Sequence, residues 1–185
     1  MARVLVPLAD GCEELEAVTI VDLLRRAGVE VVTAGLGEGP VTASRGVVLM
    51  PDRTLDQVLG DDFDMIVLPG GLPGADHLDA DPRIHALLHR MAEQDRYTAA
   101  ICAAPKVLLN AGLLDGRKAT AYPGVIDGRL SPGSQLLSDA VVTDGRVVTS
   151  RGPGTAMDFA LTLIEKLLGA DKRRQVEEPL MRPEG

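Results

Sequence analysis

The chain has no tryptophan and only two tyrosines and two phenylalanines among 185 residues. A core must therefore be assembled from Val, Leu, Ile and Ala rather than from stacked rings. Cysteine is as scarce: Cys12 and Cys102 are the only two, which excludes a disulfide framework or a zinc-ligand spacing and points to a reducing cytoplasm. Basic excess is absent as well. Nineteen Lys and Arg stand against 27 Asp and Glu, a net charge of -8, the wrong sign for nucleic acid or an anionic membrane as main partner. No apolar run reaches the length of a membrane span, and MARVLVPLADG reads as a strand rather than a signal peptide. No histidine follows His89. What remains is ordinary soluble composition, 45% hydrophobic and 25% charged, at a length suited to one domain over residues 1–185.

Strand-like and helix-like segments alternate. RVLVPLA (3–9) is continuously apolar, the pattern of a strand covered on both faces. An acid-rich start then leads into a helix running through Leu24 and stopped by Ala27-Gly28. VEVVTAGL (29–36) is a second strand, and VTAS with GVVLMP forms a short antiparallel excursion. DMIVLPGG (64–71) is another buried strand. DPRIHALLHRMAEQD (81–95) is a helix with Asp81 as cap and Pro82 in its first turn. TAAI leads to Cys102 and a helix PKVLLNAGLL, KATAY (118–122) is a strand, and AVVTDGRVVTS (140–150) is a hairpin around Asp144-Gly145. TAMDFALTLIEKLLG (155–169) is a last amphipathic helix closed by Gly169, after which a charged tail from Asp171 lies on the surface or frays. The alternation predicts an α/β fold, a mostly parallel sheet with helices on both faces, and ligands bind such sheets beyond the carboxyl ends of the strands.

Those ends collect the reactive side chains. Cys102 stands where a strand meets a helix, among Ala99, Ala100, Ala103 and Ala104, whose small size permits a sharp turn; the helix N-terminus is expected to lower its thiol pKa. The competing reading is a small buried core residue. Glu16 shares a helix face with Ile20, Leu23 and Ala27, and an inward carboxylate has its pKa raised towards a proton-transfer range; the plainer reading is that Glu13, Glu14 and Glu16 complement the helix dipole. Pro69-Gly70-Gly71 offers backbone N–H groups to a ligand, although such a turn is often only a turn. His77, His85 and His89 lack an evident further metal ligand, and Cys12 reads as a turn residue. Tyr122 and Arg151-Gly152-Pro153-Gly154 complete the rim.

GCEELEAVTIVDLLRRAG, TASRGVV, DMIVLPGG, AAICAAP and TSRGPGTAMDFAL, in that order, resemble the ThiJ/PfpI superfamily and, within it, a protein-deglycase branch. The likeness implies a flavodoxin-like three-layer α/β sandwich, usually a homodimer. It implies that Cys102 is the reactive cysteine, readily oxidised to a sulfinic acid, and that Glu16 hydrogen-bonds it. It further implies that Gly70, Gly71 and Ala103 supply oxyanion-stabilising backbone, that Arg45 borders the site, and that Arg26 reaches the pocket across the dimer interface. Tyr122 departs from a histidine that one member of that branch carries there, so a Cys-His protease dyad does not follow. The implied chemistry is cofactor-independent conversion of 2-oxoaldehydes such as methylglyoxal, with repair of early glycation adducts by the same addition and a role in oxidative or carbonyl stress; a redox sensor or chaperone is the alternative. A phosphoacceptor receiver lacks its later strand-end aspartate, and a glutamine amidotransferase lacks its downstream histidine.

Overall fold

The computed structural model describes residues 1–183. In chain order it runs β1 (Arg3–Leu8), α1 (Glu14–Arg26), β2 (Glu30–Gly35), β3 (Val41–Thr42), β4 (Val48–Leu49), β5 (Arg53–Thr54), β6 (Met65–Leu68), α2 (Gly74–Ala80), α3 (Pro82–Glu93), β7 (Tyr97–Ile101) and α4 (Pro105–Asn110). It continues with β8 (Lys118–Ala119), β9 (Gln135–Leu136), β10 (Val141–Asp144), β11 (Val147–Ser150), α5 (Ala156–Leu168) and α6 (Ala170–Glu177). Seven strands join in the order β10-β11-β7-β6-β1-β2-β5. All neighbours are parallel except the β10–β11 hairpin.

Continuous apolar runs become central strands because both faces are covered. Val4, Val6, Met65 and Val67 point into one core with Ile20 and Leu24 of α1 and Phe159 and Leu163 of α5. Their neighbours Leu5, Ile66 and Leu68 point to the other side, against Leu78, Ile84, Leu88 and Val107 of α2, α3 and α4. The result is the expected flavodoxin-like three-layer sandwich. No helix among the described residues is long and apolar enough to cross a membrane.

The chain leaves β1 for β2 on one side and later returns to β6 on the other. The loops beyond Leu8 and Leu68 thus diverge, which opens the crevice where open α/β sheets bind ligands. The expected excursion is the antiparallel β3–β4 hairpin, hydrogen-bonded to the loop after β1 through Gly11 N to Thr42 O and Ser44 N to Cys12 O, at 2.8 and 2.7 Å.

Four boundaries differ from the sequence reading. A separate helix α2 precedes α3, whose own start is as expected, with the Asp81 side chain accepting from Arg83 N. The helix after Cys102 stops at Asn110, because Gly112 takes a left-handed φ of 75° and Leu114 packs inward from a turn. KATAY yields only two strand residues, paired with β9 outside the main sheet. The charged tail does not fray: α6 buries Val176, and its neighbourhood is pinned to α5 by Arg173–Glu165 and Arg182–Asp158 at 2.7 and 2.6 Å. Charge in this segment faces outward while one apolar position docks. Replacing Val176 by Asp should bury an unpaired charge and lower unfolding free energy by about 2 kcal/mol, measured as a lower urea midpoint.

Candidate active site

Cys102 is the turn between β7 and α4. It takes a left-handed φ of 64°, which a side-chain-bearing residue holds only when its surroundings impose it. The imposing contacts are on both sides of its peptide. Cys102 N donates to Ser150 O at the end of β11 at 3.0 Å, and Cys102 O accepts from Tyr122 N at 2.9 Å. Ala104 N closes the turn onto Ile101 O at 3.0 Å. Ala103 and Ala104 are buried, so larger residues could not pass beneath the strand ends. The cysteine itself is 9% exposed.

Glu16 is 0% exposed, on the inward face of α1 with Ala17, Ile20 and Leu23. Its Oε2 accepts from Gly70 N at 2.8 Å. The Gly70 carbonyl in turn accepts from Glu13 N at 2.8 Å, so the glycine peptide is gripped from both ends by the start of α1. A Cβ on Gly70 would stand 2.6 Å from Cys102 Cβ and 2.7 Å from Glu16 Oε2. Only glycine allows the strand end, the carboxyl and the cysteine to meet.

Burial pushes the Glu16 carboxyl up to about 7; the Gly70 N–H and Cys102 pull it back, and the charge of Glu13 adds to the rise. Burial also governs Cys102: with the charge of Glu16 beside it the thiol is pushed up to about 12, against the N–H groups of Gly71 and Ala103, which favour the thiolate. The expected lowering by the helix N-terminus is therefore overturned. α4 has only six residues and begins three positions after the sulfur, too little to offset desolvation and a neighbouring carboxylate. The two acids behave as one unit: the thiolate is favoured only while Glu16 keeps the proton. Glu16 Oε1 is buried with no well-aligned hydrogen-bond partner, so its approach to sulfur is one of proximity rather than a strong bond.

The other candidates divide. Gly71 and Ala103 present their N–H groups to the sulfur, whereas the Gly70 N–H is already committed to Glu16 and is a fixing group, not a free oxyanion donor. Tyr122 is half exposed and its ring lies beside Gly152, at the rim. Arg45 is exposed; its guanidinium reaches Ser44 O at 3.4 Å. Arg26 is bonded to Asp22 at 2.7 Å and lies ten residues along α1 from Glu16, about 15 Å away at helical rise, so within one chain it does not reach the pair. Cys12 is buried, with its thiol pushed up to about 11 by burial and then by Glu14. His77, His85 and His89 each face a different backbone carbonyl, those of Asp10, Asp79 and Ala111.

Sequence reasoning missed the clamp beside the pair. Glu14 Oε1 accepts from Arg45 N at 2.8 Å and its Oε2 faces Ser44 Oγ at 3.0 Å, while Glu13 Oε1 caps Leu15 N at 3.3 Å. The acids at the start of α1 were legible only as dipole partners; their acceptor roles towards a distant hairpin depend on tertiary contact.

A carboxyl raised from 4.5 to about 7 keeps a proton in the folded chain that the unfolded chain has lost between those values. Its stabilisation is full below about pH 4.5 and declines by on the order of 3 kcal/mol as pH rises through about 7. Glu16→Gln should flatten this window, seen by comparing urea midpoints of variant and parent across it.

The fold and site have close counterparts. The DJ-1/PfpI family model matches residues 2–166. The chain is 43% identical over 182 residues to the Danio rerio Parkinson disease protein 7 homolog, covering 97% of this chain and 96% of that one. It is 38% identical over 179 residues to the Caenorhabditis elegans glutathione-independent glyoxalase DJR-1.2, covering 97% and 95%. Against the Arabidopsis thaliana protein DJ-1 homolog B, at 43% identity, it covers 95% of its own length but spans only 40% of that longer relative. The crystal structure of Drosophila melanogaster DJ-1beta superposes with a TM-score of 0.94 at 42% identity, covering 99% of each chain. A match over most of the chain, at this identity and with this agreement of fold, places the protein in the DJ-1/PfpI family.

Proposed function

We propose that the protein is a cysteine-dependent glyoxalase that needs no cofactor, acting on methylglyoxal-type 2-oxoaldehydes and on their early adducts with proteins. The observation that carries this reading is the buried Glu16 carboxyl beside Cys102, with a pKa pushed up to about 7, where one group can both give and take a proton near neutral pH. A C. elegans relative aligned over 95% of its length is named as a glutathione-independent glyoxalase, which supports the substrate class.

The predominant one-proton form of the pair has Glu16 charged and the thiol intact; the reactive state is its minor counterpart, in which the proton has passed from sulfur to Glu16. The thiolate adds to the aldehyde carbon, forming the C–S bond, and the new oxyanion takes the Glu16 proton while the amides of Gly71 and Ala103 face the reacting sulfur and offset developing charge. Glu16, now a carboxylate, removes the hydrogen from that carbon, and the resulting enediol is reprotonated at the neighbouring carbon. This yields a 2-hydroxy thioester; water cleaves it to the 2-hydroxy acid and restores the thiol. No electrons leave the substrate, and the only co-reactant is water. Early adducts enter by the same route once the hemiaminal C–N bond breaks, with the amine taking up the hydroxyl proton as it leaves, because this regenerates the free aldehyde to which the thiolate adds.

A second reading, redox sensing or a chaperone role controlled by Cys102 oxidation, draws on one feature. A protonated Glu16 with an unpartnered buried oxygen is placed to hydrogen-bond an oxygen added to the sulfur. Both readings are separated by one assay. With methylglyoxal, the parent should release 2-hydroxy acid, Cys102→Ala none, and Glu16→Gln at least about 100-fold less in kcat. A parent that gives no hydroxy acid yet gains two oxygens on Cys102 under mild peroxide would fit the sensor instead.

The protein is further proposed to act as a homodimer through α1 and the β3–β4 hairpin. Leu15 and Val18 are exposed on the outer side of α1, and beside them Val48 and Met50 are 62% and 72% exposed. They flank an apolar cleft of about 330 Å³ lined by Leu8, Val21 and Leu49 among others. Such a patch on an otherwise charged surface marks an interaction face, and a self-complementary face closes by two-fold symmetry. Arg26, too far along α1 to reach its own Glu16, is proposed to approach the partner's pocket from the end of the helix where it is paired with Asp22. Light scattering should give twice the 19.5 kDa chain mass, and Val18→Asp with Met50→Asp should give the single chain with its secondary structure intact.

A further inference from the structure

Two large apolar side chains stand at the surface on either side of Cys102, and neither takes part in the addition chemistry. Leu72 is 57% exposed and Tyr122 52%, against 9% for the cysteine. Sheet order puts them on opposite flanks. Cys102 follows β7, whose neighbours are β6 on one side and β11 on the other. On the β6 side Leu72 comes directly after Gly71, whose N–H faces the sulfur. On the β11 side Cys102 N donates to Ser150 O at 3.0 Å, and Cys102 O accepts from Tyr122 N at 2.9 Å. The Tyr122 ring stands over Gly152, two residues beyond β11, where a Cβ would lie 3.4 Å from its Cδ2 and 3.9 Å from its Cε2. A backbone hydrogen bond thus fixes Tyr122 beside the cysteine while half of its surface stays open.

The ends of β6 and β11 are two strand spacings apart, about 10 Å, which leaves room for one small substituent between the two side chains. With so little of Cys102 exposed, an aldehyde reaches the sulfur carbonyl end first, and whatever its second carbon carries projects outward past this rim. The arginines of the same segments are turned elsewhere. Arg151 donates to Ser138 O at 3.2 Å, and Arg129 to Asn110 Oδ1 at 2.9 Å and Val125 O at 3.3 Å. The rim therefore presents apolar surface to an incoming molecule rather than charge. We propose that Leu72 and Tyr122 are specificity-determining residues, an apolar rim that selects 2-oxoaldehydes bearing an apolar substituent, above all a flat aryl group, over the unsubstituted compound. The inference deepens the glyoxalase reading and rests on it. Exposed apolar side chains gathered at the mouth of a site mark a binding edge, and an aromatic face adds stacking to the area it covers. Contacts to a group that does not react are alike in ground and transition states, so they act on KM more than on kcat.

The test compares phenylglyoxal with glyoxal in the parent, Leu72→Ala, Tyr122→Ala and Tyr122→Phe. Both side chains are exposed and Tyr122 is held by its backbone N–H, so the variants keep the fold, which circular dichroism checks. The ratio of kcat/KM for phenylglyoxal to that for glyoxal should fall about tenfold in Tyr122→Ala and about fivefold in Leu72→Ala, mainly through the KM for phenylglyoxal. Tyr122→Phe, which keeps the ring, should stay within about twofold of the parent ratio. Gly152 has an extended φ of 173° that any residue adopts, so Gly152→Val should press on the ring and lower the ratio in the parent but not in Tyr122→Ala. A second readout needs no turnover. Alkylation of Cys102 by N-benzyl iodoacetamide relative to iodoacetamide, followed by peptide mass spectrometry, cancels any change in thiol reactivity and should drop in both alanine variants. Turnover with a substrate ratio unmoved by both alanine substitutions overturns the rim alone, and so does an alkylation ratio equal in all the proteins. A parent that releases hydroxy acid from neither aldehyde overturns the glyoxalase reading and the proposed substrate class together.

Discussion

The hydrogen bond from Gly70 N to Glu16 Oε2, at 2.8 Å with both partners buried, is the contact on which the site depends. A carboxyl with no exposed surface is costly to place among Ile20, Leu23 and the ends of the central strands unless an N–H meets it. That N–H belongs to the first residue beyond Pro69 after β6, so α1 and the sheet are locked in register at the crevice between β1 and β6. The same peptide gives its carbonyl to Glu13 N. A side chain at position 70 would occupy the space that sulfur, carboxyl and backbone now share, and one missing Cβ thereby sets how near Cys102 and Glu16 can come.

Proximity of this kind has an electrostatic consequence. Two acids placed together in a poorly solvated pocket cannot both ionise at neutral pH. Burial raises both, Glu16 to about 7 and Cys102 to about 12 when Glu16 is charged. The amides of Gly71 and Ala103 pull the thiol the other way. The balance among a few fixed dipoles and one proton, rather than the dipole of a six-residue helix, decides how nucleophilic the sulfur is. Holding Cys102 at a φ of 64° costs backbone strain of on the order of 1–3 kcal/mol, offset by the paired contacts to Ser150 and Tyr122.

The second cysteine shows how narrowly those conditions are met. Cys12 is as deeply buried and also lies at a strand end, but its neighbours Glu14, Glu13 and Asp10 all oppose ionisation. One thiol faces two amides and a carboxyl able to carry a proton; for the other a single backbone N–H stands against burial and three acidic neighbours. The hairpin β3–β4, hydrogen-bonded to Cys12 and to Glu14, closes over that side and leaves its apolar outer residues exposed.

Much of this was determined locally and so was legible in the sequence. Unbroken apolar runs such as RVLVPLA specify strands covered on both faces, Asp81-Pro82 specifies a helix start, and Asp144-Gly145 specifies a hairpin, because each depends on neighbours within a few residues. Cys102 among alanines and Glu16 on an apolar helix face stood out for the same reason. What the tertiary structure decided lies between segments distant in the chain. The Gly70 N–H turned out to hold Glu16 instead of standing free, and the thiol pKa rose because desolvation by packed neighbours outweighed a local dipole. The tail became helix because Val176 finds a groove against α5, and the span after Asn110 left the helix because Leu114 packs better from a turn. Backbone preference is a short-range property, whereas burial, proton sharing and the choice of hydrogen-bond partner are settled only when the sheet brings residues 16, 70 and 102 together.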